Sequence, residues 1–196
     1  YKRQVSMGNL GETREQLGRL DEALTAYEAW LKVADRVIET DESNVAWVRS
    51  LIFAHEHLAR VLEAKKLPAD AVPHRRVAYA VWKVFLGQDP KDESRERGTD
   101  AACDALDAAL LAAGDTEAAL AVEHEALELA RRIAERDAAD PQRARNVSVV
   151  HNRIGRSLRL LARPDEAAAS HRASLAIIAP LVKAHPDERL FAADEA

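Results

Sequence analysis

Six arginines crowd the stretch between Pro141 and Pro164 (Arg143, Arg145, Arg153, Arg156, Arg159 and Arg163), and no aspartate or glutamate interrupts them. Guanidinium binds carboxylate and phosphate bidentately, so an acidic chain that gathers positive charge here could grip either group. Arg153, Arg156, Arg159 and Arg163 follow a 3, 3, 4 spacing, which predicts one shared helical face. The same residues also fit a solvated face whose charge is answered by acids of the preceding segment. No aromatic residue interleaves with the arginines, so base stacking has no platform. A net charge of −5 likewise argues against a non-specific nucleic-acid surface.

Other chemistry finds little support. His55-Glu56-His57 lacks the second histidine four residues on that a zinc-binding helix needs, because Ala59 stands there. None of the 7 histidines follows a glutamate by three residues, so the Glu-x-x-His pair of a di-iron bundle is absent. His124, Glu125 and Glu128 are neighbours on a helix without a further ligand group nearby in sequence. The 7 glycines are scattered and form no phosphate-cradling loop. Cys103, the single cysteine, rules out an internal disulfide and reads as a small buried residue. The expectation is a non-enzymatic chain with no metal and no cofactor. No run reaches the ~18 uncharged apolar residues of a membrane span, so no membrane partner is expected.

The elements that carry these residues repeat. Ala23, Ala71, Ala119 and Ala167 each stand 48 residues after the last. Thirteen residues before each lies a branched aliphatic: Leu10, Leu58, Leu106 and Ile154. Two apolar columns follow, Val33, Val81, Leu129, Ile177 and Val37, Phe85, Ile133, Leu181. A period of this size predicts stacked supersecondary units with a continuous core. Each unit holds two stretches of helical period separated by breakers such as Gly18, Pro68, Gly114 and Pro164. Helices are therefore predicted near residues 2–17, 21–39, 45–65, 70–87, 97–113, 117–137, 143–161 and 165–184, with residues 187–196 as the opening of a further helix. Trp30, Trp47 and Trp82 fall at helix-contact positions and are expected in the core.

Leu10-Gly11, Gly18, Ala23 and Tyr27 resemble the tetratricopeptide repeat, and Ile154-Gly155 with Ala167 repeats the likeness. The 48-residue period implies a long-helix variant, similar to arrays in bacterial multidomain signalling proteins. The second repeat departs most. Lys66 replaces the turn glycine, Arg75 the aromatic, and Pro73 predicts a late start for that repeat's second helix. The resemblance implies an all-α, right-handed α-α superhelix, one repeat domain over residues 1–196 with repeats at about 1–44, 45–92, 93–140 and 141–188. It also implies that first helices line a concave face, through the columns Val5, Phe53, Ala101, Val149; Gly8, Glu56, Asp104, Asn152; Glu12, Arg60, Ala108, Arg156; and Glu15, Glu63, Leu111, Arg159. Joined with the arginine run, these give a candidate groove of Glu56, Arg60, Glu63, Asn152, Arg153, Arg156 and Arg159.

The functional expectation is a cytoplasmic protein-interaction module that binds a protein or peptide, with an acidic segment as the natural match. The alternative is a structural or sensing spacer without a ligand groove. Because the chain opens and closes within repeats, it is expected to be a piece of a longer protein whose ends self-associate.

Overall fold

The computed structural model describes residues 2–185, with side chains from Met7 onward. Among these residues there is no strand, and eight helices follow one another: α1 (Lys2–Gln16), α2 (Leu20–Ile38), α3 (Val45–Ala64), α4 (Pro68–Gln88), α5 (Glu93–Ala112), α6 (Thr116–Arg136), α7 (Pro141–Leu160) and α8 (Pro164–Ala184). The expected ninth helix falls outside the described residues. The chain divides into two compact units, Tyr1–Gly114 and Asp115–Ala196. In the first, each helix from α1 to α4 packs on its successor, and α1 also touches α3. In the second, α6 packs on α7 and α7 on α8.

The alanine column lies where close packing demands it. Ala23, Ala71 and Ala119 are fully buried and Ala167 nearly so. Leu58, Leu106 and Ile154 are buried too, whereas Leu10 of the same column is 46% exposed. In the first unit Ala23, Tyr27, Trp30, Ala54, Leu58 and Val61 form one apolar cluster. In the second, Leu120, Leu127, Val147, Val150, Ile154 and Leu158 do the same. Trp30 and Trp82 are buried as expected, and Trp47 is half-buried.

One turn is used four times. Gly18, Lys66, Gly114 and Ala162 all have positive φ, at 72°, 63°, 81° and 57°. Their amides donate to Glu15, Glu63, Leu111 and Arg159 carbonyls, and the next amides of Arg19, Leu67 and Arg163 reach Arg14, Leu62 and Leu158. That double bond pattern closes a helix through one left-handed residue. It also corrects the expectation for the second repeat. Lys66 adopts the glycine-type conformation, so α4 begins at Pro68, in the first helical position, and not late. Pro73 sits inside α4 and forgoes only one backbone bond. The remaining boundary surprise is α5, which starts at Glu93 because the Asp92 side chain accepts from the amides of Ser94 and Arg95.

Left-handed backbone costs a residue with a Cβ about 1–2 kcal/mol. Lys66→Gly and Ala162→Gly are therefore each expected to stabilise the chain by about 1 kcal/mol in urea unfolding. Gly18→Ala and Gly114→Ala are expected to do the reverse, since a Cβ at either meets nothing within 4 Å and only the backbone pays.

Candidate functional site

Glu56, Arg60 and Glu63 lie on α3 in the first unit, and each is engaged by a neighbouring helix. The Trp82 indole of α4 donates to Glu56 Oε1 at 3.0 Å. Burial pushes the Glu56 carboxyl up, against the pull of that bond and of Arg75 and Arg60. Arg60 donates from Nε and Nη2 to the two oxygens of Glu15 on α1, at 2.7 and 2.8 Å. Glu15 also accepts from the Tyr27 hydroxyl of α2 at 3.0 Å. Burial alone would raise Glu15, but these two donors hold it below the usual carboxylate range. Arg75 of α4 grips Glu63 bidentately at 2.9 and 2.7 Å. His57 completes the arrangement, stacked on Tyr27 with centroids 4.8 Å apart and 3.6 Å from Glu12. The expected groove residues of this unit thus form a ladder that ties α1, α2, α3 and α4 together.

The second unit holds Asn152, Arg153, Arg156 and Arg159 on α7. Asn152 shares a hydrogen bond of 3.1 Å with the His171 ring of α8. Of the six arginines, most are committed. Arg143 donates to Asp140 at 3.2 Å and to the Ile133 carbonyl at 3.4 Å. Arg145 and Arg153 are half-buried and not free. Arg163 lies beyond the end of α7, in the turn, and clasps Glu166 at 2.7 and 2.6 Å. The four-residue face expected from spacing is thus shorter, because α7 ends at Leu160. Arg156 and Arg159 remain. Both are exposed, and among the described residues neither makes an ion pair or side-chain hydrogen bond.

A histidine pair escaped sequence reasoning. His55 of α3 and His74 of α4 bring their Nδ1 atoms to 2.9 Å. They are 19 residues apart and fit no ligand motif, so only the facing of α3 and α4 reveals them. Among the described residues no group of three or more histidine, cysteine or acidic side chains could hold a metal. No helix among them is long and apolar enough to cross a membrane.

No family model and no curated protein matches the chain. Among solved structures it is similar to the crystal structure of BtubC (BKLC) from P. vanneervenii, with a TM-score of 0.60 and 17% identity over 91% of this chain. That match takes in 64% of the BtubC chain, so the present chain spans less than two-thirds of that protein. Identity this low speaks to the helical fold alone.

Proposed function

We propose that this chain is a tetratricopeptide-like helical repeat array that binds a protein or peptide through an acidic segment, as part of a larger cytoplasmic signalling or regulatory protein. The observation that carries the reading is the pair Arg156 and Arg159. Two exposed guanidinium groups on successive turns of α7 have no acid to answer them among the described residues, while Arg143 and Arg163 of the same run do. Such a pair is matched by carboxylates spaced along an extended peptide or at a chain terminus. Solenoid stacking of the four helix pairs belongs to this proposal, and the 48-residue column register supports it.

A second reading, a spacer without a ligand groove, is favoured by the first unit. There Glu56, Arg60 and Glu63 spend their polar groups on neighbouring helices, which stiffens the fold and leaves little for a partner.

An array of peptides ending in acidic runs, probed with the chain and with its Arg156→Glu, Arg159→Glu variant, separates the two readings. Binding by the unmodified chain that falls at least about tenfold in the variant, with helical circular dichroism unchanged, supports the interaction module. Peptide binding that is absent, or equal in both, supports the spacer.

A further inference from the structure

The three connections between successive helix pairs follow one backbone course. The amides of Asn44, Asp92 and Asp140 donate to the carbonyls of Asp41, Asp89 and Asp137, each at 3.2 Å. The side chains of Asn44, Asp92 and Asp140 then cap α3, α5 and α7. What differs is the filling beneath. One position reads Ile38, Leu86 and Ala134 at the 48-residue interval, and another reads Val48, Glu96 and Ala144. Leu86 is 4% exposed and Val48 6%, so in their own connections these side chains are packed in. At the third connection both positions are alanine, and a cavity of about 310 Å³ opens between the end of α6 and the start of α7.

Ala134, Ala138, Ala144 and Val147 supply its apolar floor. Arg131, Glu135, Asp137 and Asp140 stand around it, three acids against one base. Arg131 is drawn to Glu128 at 3.2 Å and approaches His151 Nε2 at 3.4 Å. Asp137 and Asp140 share Arg143, at 3.8 and 3.2 Å. Glu135 is exposed and, among the described residues, makes no ion pair or hydrogen bond. The charge left over at the mouth is therefore negative.

We infer that this cavity is a docking site for a partner segment that inserts one leucine-sized aliphatic side chain and sets an adjacent cationic group against Glu135. The aliphatic chain takes the place that Leu86 occupies in the preceding connection, where the fold supplies its own filling. An alanine and valine floor offers water few partners, so its replacement by methyl and methylene groups is favourable. The cation answers a carboxylate that no side chain of the described fold satisfies. The inference does not rest on Arg156 and Arg159, which lie further along α7.

Isopentylammonium is the probe, because it joins a leucine-like tail to one positive head. Isovalerate carries the same tail on a negative head, and methylammonium carries the head without the tail. The methyl signals of Ala134, Ala138 and Ala144 are followed by NMR in the full chain. Isopentylammonium is expected to shift all three at millimolar concentration, with isovalerate and methylammonium at least about tenfold weaker. Ala134→Leu, which copies Leu86, occupies the part of the hole where the guest side chain would lie and is expected to abolish the shifts of Ala138 and Ala144 while leaving thermal stability equal or higher. Glu135→Lys, an exposed change, is expected to erase the preference for the ammonium without affecting the fold. No shift with isopentylammonium, an equal response to isovalerate in the unmodified chain, shifts that survive in Ala134→Leu, or a preference for the ammonium that survives in Glu135→Lys would overturn the inference.

Discussion

Gly11→Ala is expected to lower the stability of the chain by about 3 kcal/mol in urea unfolding, although it adds a single methyl group. A Cβ built on Gly11 would lie 2.3 Å from Tyr27 Cε1 and 2.6 Å from its Cδ1. Tyr27 cannot yield. It is fully buried in the cluster with Ala23, Trp30 and Leu58, and its hydroxyl is tied to Glu15. The ring is rigid, so α1 and α2 must separate. Gly87→Ala is the internal control, since its Cβ would meet nothing within 4 Å. In a helix that change is expected to be neutral or to stabilise by about 0.5–1 kcal/mol.

The repeat register sharpens this prediction. Positions at the 48-residue interval pair Gly11 with Tyr27, Ala59 with Arg75, Asp107 with Glu123 and Gly155 with His171. Alanine stands where the partner is a flexible arginine, and glycine where it is a ring. A Cβ on Gly155 would come within 2.5 Å of the His171 ring, as at Gly11. Glu63 receives Arg75 much as Glu15 receives the Tyr27 hydroxyl. The double variant Gly11→Ala, Tyr27→Arg is therefore expected to be less destabilised than the sum of its single changes, by about 1 kcal/mol or more. Strict additivity would mean that the ring is not the obstacle.

How far the chain was legible follows from the same residues. A 48-residue register makes helices visible because the alanine column is buried in every copy and the aliphatic column in all but the first. The boundaries came within a few residues for that reason. Lys66 misled because its residue type hides a left-handed turn that the repeat imposes on it. The tie of Trp82 against Gly98, where a Cβ would lie 2.4 Å from the indole, carries no periodic signal since neither residue recurs in its column. The candidate site was harder. Glu15 and Arg60 are 45 residues apart, and no local spacing shows that they meet. The arginine run was read as one patch because composition counts charges without their partners. Asp140 and Glu166 lie on or just beyond the prolines that bound it, and they neutralise its two ends.

The histidines set the second large effect, a loss of stability on mild acidification. The Nδ1 atoms of His55 and His74 are 2.9 Å apart while the ring centroids are 5.2 Å apart, so the two nitrogens face each other. One must donate and the other accept. A second proton on the pair would put hydrogen on both nitrogens and break the contact between α3 and α4. Burial, then the neighbouring His74, lowers the His55 pKa from 6.5 to about 4. Burial also lowers His74, opposed by Glu28, and lowers His57 and His151, where Arg60 and Arg131 add to it. A group with a lowered pKa binds fewer protons folded than unfolded throughout the interval between its two values. Its contribution is thus whole above 6.5 and is lost as pH falls toward 4. By pH 5 the share of His55 is about 1–2 kcal/mol after allowance for solvent screening, and His74, His57 and His151 act in the same direction. Glu15 acts in the same direction only below 4.5, where its carboxylate begins to protonate in the unfolded chain. Urea unfolding at neutral pH and at about pH 5 reads the difference, and His55→Gln is expected to shrink it by about 1–2 kcal/mol. The Glu15 carboxylate is spared at that pH, so an unchanged difference in the variant would mean that the facing imidazoles do not govern the acid response.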